Sequence, residues 1–105
     1  MKLLGEQIRD CRAASGLLLR EVAAALNIDP SLLSRIERGE KHPTREQVIH
    51  LAKILKVNEN DLLINYLSDK VVYELQGEDL ALKAMQVAEK KITYFAKAKK
   101  RKGKS

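Results

Sequence analysis

Residues 19–39 read LREVAAALNIDPSLLSRIERG, and this stretch decides the architecture. Helical periodicity predicts a helix from about Leu19 to Leu26, stopped at Asn27, a residue that tolerates positive φ better than most. Asp29–Pro30 opens the next helix, with Asp29 as N-cap and Pro30 in the first helical position; it ends at Arg38, with Gly39 beyond. Only Asn27 to Asp29 join the two helices. So short a link forces a sharp crossing, as in a helix-turn-helix, and Ala23 supplies the small residue that a close crossing needs. Leu33 and Ile36 then pack inward against Val22 and Leu26. The opposite face shows Ser31, Leu32, Ser34, Arg35 and Arg38. Short polar groups plus arginine suit a helix lying in a DNA major groove, where arginine bonds guanine through two hydrogen bonds.

Outward from this pair the chain stays helical, and no stretch alternates convincingly at period two. A helix from about Leu3 to Ser15 places Leu4, Ile8 and Cys11 on one face, and Gly16 follows where a left-handed cap is needed. Thr44 and Gln47 fit a capping box and start a fourth helix to about Lys56, burying Val48, Leu51, Ile54 and Leu55. Asn58 caps a fifth, with Leu62, Leu63, Tyr66 and Leu67 apolar and a continuation through Val71, Val72 and Leu75. Gly77 breaks it, and a last helix runs from about Glu78 to Ala98. Both prolines and four of the five glycines fall at breaks or in the tail.

Composition narrows the function classes. Leu, Ile, Val and Phe make up 30 of 105 residues, enough for a real core. The longest apolar run is five residues, Val22 to Leu26, which excludes a transmembrane helix. The amino terminus lacks the hydrophobic segment of a signal peptide, and the expectation is a soluble cytoplasmic protein without membrane partners. One cysteine, Cys11, and two histidines, His42 and His50, exclude a disulfide framework and argue against a metal centre. No nucleophile–base or carboxylate pair suggests an enzyme, and no cofactor or small-molecule ligand is expected. The net charge of +6 is uneven: residues 1–57 carry +3, residues 58–96 carry −3, and residues 97–105 carry +6. The basicity is therefore mainly that of the tail, and local motifs, not overall charge, carry the argument for DNA.

At the level of motifs, Gly16-Leu17, Glu21-Val22-Ala23, Leu26-Asn27-Ile28, Ser34-Arg35-Ile36-Glu37-Arg38-Gly39 and Pro43 resemble the Cro/CI (λ repressor-like, XRE) helix-turn-helix family. Ile8-Arg9-Asp10-Cys11-Arg12 also fits that family's first helix, with Cys11 where leucine is usual. The resemblance covers residues 4 to about 63. It implies an all-α fold: a five-helix λ repressor-like domain, acting as a homodimer on a two-fold symmetric operator in double-stranded DNA. Carried over residue by residue, it places base contacts at Pro30, Ser31, Leu32, Ser34 and Arg35. Phosphate contacts fall at Arg38 and Lys41, with His42 placed to join them. Arg12 and Glu37 match a structural pair between the first and third helices. Two departures stand out. Leu18 and Leu19 occupy positions where the family often has a polar pair touching phosphate, and Asn27 replaces the usual turn glycine.

The expected organisation is a DNA-binding domain over residues 1–65, a helical dimerisation or packing element over 66–96, and a disordered basic tail over 97–105. In the last helix Ala81, Met85, Ala88, Ile92 and Phe95 repeat at 4-3-4-3 spacing, the pattern of a subunit seam or of a face packed on the fifth helix. The leading expectation is a transcriptional repressor. Its rival is a helical adaptor or antitoxin-like partner protein with little DNA affinity, which Leu19 and Leu32 at polar positions would favour.

Overall fold

Six helices follow in chain order: α1 (Leu4–Ala14), α2 (Leu19–Leu26), α3 (Pro30–Glu37), α4 (Arg45–Leu55), α5 (Glu59–Leu75) and α6 (Ala81–Lys102). The computed structural model describes residues 2–102, with side chains to residue 100, and the described residues contain no strand. The fold is all-α, with a five-helix domain and a C-terminal helical extension.

The helix starts have local causes. Asp29 Oδ1 accepts from the Ser31 amide at 2.9 Å and from the Ser31 hydroxyl at 2.8 Å. These bonds hold the Asp29 carboxyl below its usual range, the amide bond contributing most. Thr44 and Gln47 form a reciprocal capping box: Thr44 Oγ1 accepts from the Gln47 amide at 3.1 Å, and Gln47 Oε1 accepts from the Thr44 amide at 2.9 Å. Asn58 Oδ1 accepts from the Asp61 amide at 3.0 Å.

Four helix ends close in one way. The amides of Leu17, Ile28, Glu40 and Val57 donate to the carbonyls of Arg12, Ala23, Arg35 and Ala52 at 2.9–3.2 Å. Each bond spans a residue of positive φ: Gly16 (70°), Asn27 (59°), Gly39 (77°) or Lys56 (56°). Lys56 is the surprise among them, because a left-handed conformation costs an ordinary residue about 1–2 kcal/mol.

One core joins α1 to α5. Ile8, Val22, Ala23, Leu33, Val48, Leu51 and Leu62 are fully shielded from solvent, with Leu4, Leu26, Ile36, Ala52, Leu55, Leu63 and Tyr66 around them. Ala52, not Ile54, completes the buried face of α4; Ile54 is half-buried. Leu67 stays exposed. Two features of α1 have no local signal in the sequence. Its first amide, Leu4 N–H, donates to Asp69 Oδ2 of α5 at 3.0 Å, a cap from 65 residues away. Asn65 Nδ2 adds a bond to Gln7 Oε1 at 2.8 Å. The second feature is Gly5, where α1 crosses the end of α3 so closely that a Cβ would lie 2.4 Å from the Ile36 carbonyl oxygen and 2.7 Å from that of Glu37.

The chain divides into two compact units, residues 1–72 and 73–105. The expected boundary after residue 65 falls inside α5, in the turns that Asn65 and Asp69 bond to α1. In the second unit, α6 differs from expectation at both ends. It starts at Ala81, not Glu78, because the first helical bond runs from the Ala84 amide to the Leu80 carbonyl at 2.9 Å. It continues to Lys102, not Ala98, so residues 97–102 of the expected disordered tail are helical. Alanine and lysine are good helix formers, and cations near a helix C-terminus interact favourably with its dipole. Residues 103–105 of that tail lie outside the described residues.

Candidate nucleic-acid interface

The α3 helix has two distinct sides. Leu33, Ile36 and Glu37 are buried, whereas Pro30, Ser31, Arg35 and Arg38 are exposed at or beside its outer face. Ser34 is half-buried. Lys41 and His42 are exposed in the loop that follows, just before buried Pro43. The residues expected to meet DNA thus lie on one short helix and the turn leaving it. Leu32 departs from the open, groove-facing position expected of it: it is half-buried and packs against the core.

Some outward polar groups are already committed to protein partners. The Ser31 hydroxyl donates to Asp29, and the Ser34 hydroxyl accepts from Arg38 Nη1 at 2.7 Å. Arg38 also donates through Nε and Nη2 to both carboxylate oxygens of Glu40, at 3.2 and 3.1 Å. These bonds hold the Glu40 carboxyl below its usual range. Glu40, which carries no expected role, occupies the guanidinium of Arg38, a residue expected to meet phosphate. Its signal was the spacing Arg38-Gly39-Glu40 across a left-handed glycine, which folds the carboxylate back onto the guanidinium.

At the start of α2, Leu18 has no side-chain acceptor, and Glu21 Oε1 takes its amide at 2.8 Å. Leu19 is half-buried against the core. Packing therefore explains the apolar side chains of Leu19 and Leu32, whereas Leu18 is exposed.

Behind the outer face, Arg12 of α1 ties α3 in place. Its Nε and Nη2 donate to Glu37 Oε2 and Oε1 at 2.8 and 3.1 Å, and its Nη1 donates to the Leu17 carbonyl at 3.1 Å. The Arg12 side chain is 18% exposed and that of Glu37 is 6% exposed. This clamp fixes the end of α3 relative to α1 and the turn leading into α2. Among the described residues, no cluster of His, Cys, Asp or Glu is arranged to hold a metal, and no helix is long and apolar enough to cross a membrane.

Comparison with known proteins places this geometry. The helix-turn-helix domain family matches residues 3–63. The HTH-type transcriptional regulator DdrOP3 of Deinococcus deserti is 38% identical over 63 residues, which cover 60% of this chain and 48% of that protein. The HTH-type transcriptional regulator ImmR of Bacillus subtilis is 29% identical over 93 residues, covering 75% of this chain and 72% of ImmR. The chain thus spans about half the length of the first relative and most of the second. A crystal structure of SinR, a master regulator for biofilm formation, in complex with DNA is 29% identical with a TM-score of 0.54; the match covers 58% of this chain and 98% of that one. The chain belongs to the helix-turn-helix domain family, within its Cro/CI (λ repressor-like, XRE) group of transcriptional regulators.

Proposed function

We propose that this protein is a sequence-specific transcriptional regulator that binds double-stranded DNA as a homodimer and represses at a two-fold symmetric operator. The observation that carries the reading is the division of α3, whose apolar side is locked into the core while Ser31 and Arg35 face solvent. Arg35 is the base-reading group, supported by Pro30, Ser31, Ser34 and the exposed edge of Leu32, and Arg38, Lys41 and His42 hold the flanking phosphates. Phosphate contacts set orientation and salt dependence, while groove contacts supply the sequence preference. Repression needs no further machinery, since a protein covering an operator competes with polymerase. The relatives named as transcriptional regulators and the DNA-bound SinR structure support this assignment. Leu19 and Leu32, which would favour an adaptor with little DNA affinity, pack against the core, and this supports the DNA-binding reading.

The Arg35→Ala protein is expected to bind its preferred site about 1–3 kcal/mol more weakly and with relaxed base preference. Titration of wild type and variant against the preferred duplex and single-base variants checks this. Unchanged affinity and preference would remove α3 from the groove.

Dimerisation is assigned to the C-terminal unit, because Ile92 and Phe95 of the 4-3-4-3 stripe are 69% and 64% exposed. The described part of that unit contains no second long helix to cover them. Sedimentation equilibrium at tens of micromolar, a rough working range for a modest interface, is expected to give a dimer for the wild type. Ile92→Asp is expected to weaken association by at least about 30-fold, as loss of a central apolar contact does, while circular dichroism stays helical. A monomeric wild type contradicts the assignment.

A further inference from the structure

The C-terminal unit carries opposite charges at its two ends, with the apolar stripe between them. Exposed Glu74, Glu78 and Asp79 lie before or at the start of α6, and exposed Lys97, Lys99 and Lys100 lie near its end. The stripe also has unequal ends, small Ala81 at one and large Phe95 at the other, with Met85, Ala88 and Ile92 between them. Resting on the dimer reading above, we infer that α6 pairs with α6 of a second copy in antiparallel orientation, crossing near Ala88.

Two independent features select this orientation over a parallel one. The first is charge. In a parallel pair three lysines per chain meet three like charges at one end, and three carboxylates meet three at the other. Reversing one helix sets each lysine cluster beside the partner's acidic turn, and it opposes the two helix dipoles as well. Salt screens such interactions beyond about 8 Å, so the orientation is decided at contact range. The second feature is volume. An antiparallel crossing at Ala88 brings Ala81 level with the partner's Phe95 and Met85 near the partner's Ile92. At each end of the seam a large side chain then lies opposite a small one. A parallel pair stacks Ala81 on the partner's Ala81, leaving a gap, and crowds Phe95 against the partner's Phe95.

The experiment uses the full chain with Cys11→Ser and one spin label at a time, introduced through Lys83→Cys, Lys90→Cys or Lys97→Cys. These exposed positions are seven residues apart, on one edge of α6 away from the stripe. At a rise of 1.5 Å per residue, an antiparallel crossing at Ala88 offsets the paired labels along the axis by about 15 Å at 83, about 6 Å at 90 and about 27 Å at 97. Pulsed dipolar spectroscopy is therefore expected to give the shortest separation at 90 and the longest at 97. Equal separations at all three positions overturn the antiparallel orientation while leaving the dimer intact. No dipolar coupling at any position, under the concentrations used for sedimentation, overturns the dimer and the inference together.

Discussion

Replacing Arg12 by alanine is expected to cost about 3 kcal/mol of folding stability, near the lower end of the range for breaking a buried ion pair. Glu37 would keep its negative charge in a site 6% exposed, stripped of the two guanidinium bonds at 2.8 and 3.1 Å. The Leu17 carbonyl would lose its donor too. Full burial of both partners would raise the cost toward about 5 kcal/mol, but Arg12 is 18% exposed and water relieves part of the penalty. Arg12→Lys is expected to recover only part of the loss, because an ammonium cannot match the planar fork that serves both carboxylate oxygens and a carbonyl at once. A double-mutant cycle with Glu37→Gln in urea measures the coupling, which should exceed about 1 kcal/mol for residues in direct contact. Additive single and double variants would remove the clamp from the account.

The second large effect falls at Gly5. An alanine there gains about 1 kcal/mol of helix propensity, and on a free helix surface it would stabilise the protein. Here the new Cβ would stand 2.4 and 2.7 Å from two backbone carbonyl oxygens of α3. Neither oxygen belongs to a flexible side chain that can swing away. The helices must separate, and Leu4, Ile8 and Ile36 lose packing as they do. A net loss of about 2–3 kcal/mol is expected, the upper range for an overpacked core. Chemical denaturation of Gly5→Ala checks the sign as well as the size. A variant as stable as wild type, or more stable, would show that α1 and α3 do not approach as closely as described.

These two sites also mark where a linear reading of the chain stops. The helix-turn-helix was legible because its causes are local: Asp29 caps α3 from two residues away, Thr44 and Gln47 cap each other, and Asn27 takes the left-handed turn that ends α2. Gly5 carried no such signal. A glycine early in a helix reads as a propensity cost until α3 is known to lie against it. Asp69 reads as one more polar residue of α5, although its carboxylate caps α1 across 65 residues. Arg12 and Glu37 were placed by family resemblance, since nothing in their spacing of 25 residues pairs them.

Within the candidate interface, Ser31, Arg35 and Arg38 were readable from periodicity alone, because Leu33 and Ile36 fix which side of α3 is buried. The bonds of Arg38 to Ser34 and Glu40 were not, as they depend on side-chain geometry around Gly39. The length of α6 is not legible because a run of lysines resembles a solvated tail, whereas lysine and Ala98 are both good helix formers.

On the proposed function, α3 reads a DNA sequence in the context of a symmetric dimer. The most direct test is selection of bound duplexes by the full wild-type chain from a randomised pool, at two salt concentrations. One two-fold symmetric motif is expected to be enriched, with half-site centres about 10 base pairs apart or a multiple of that. That motif should bind about a thousandfold or more tightly than random duplex at physiological salt. A pool that remains random after repeated rounds, with retention falling equally for all sequences as salt rises, would contradict it.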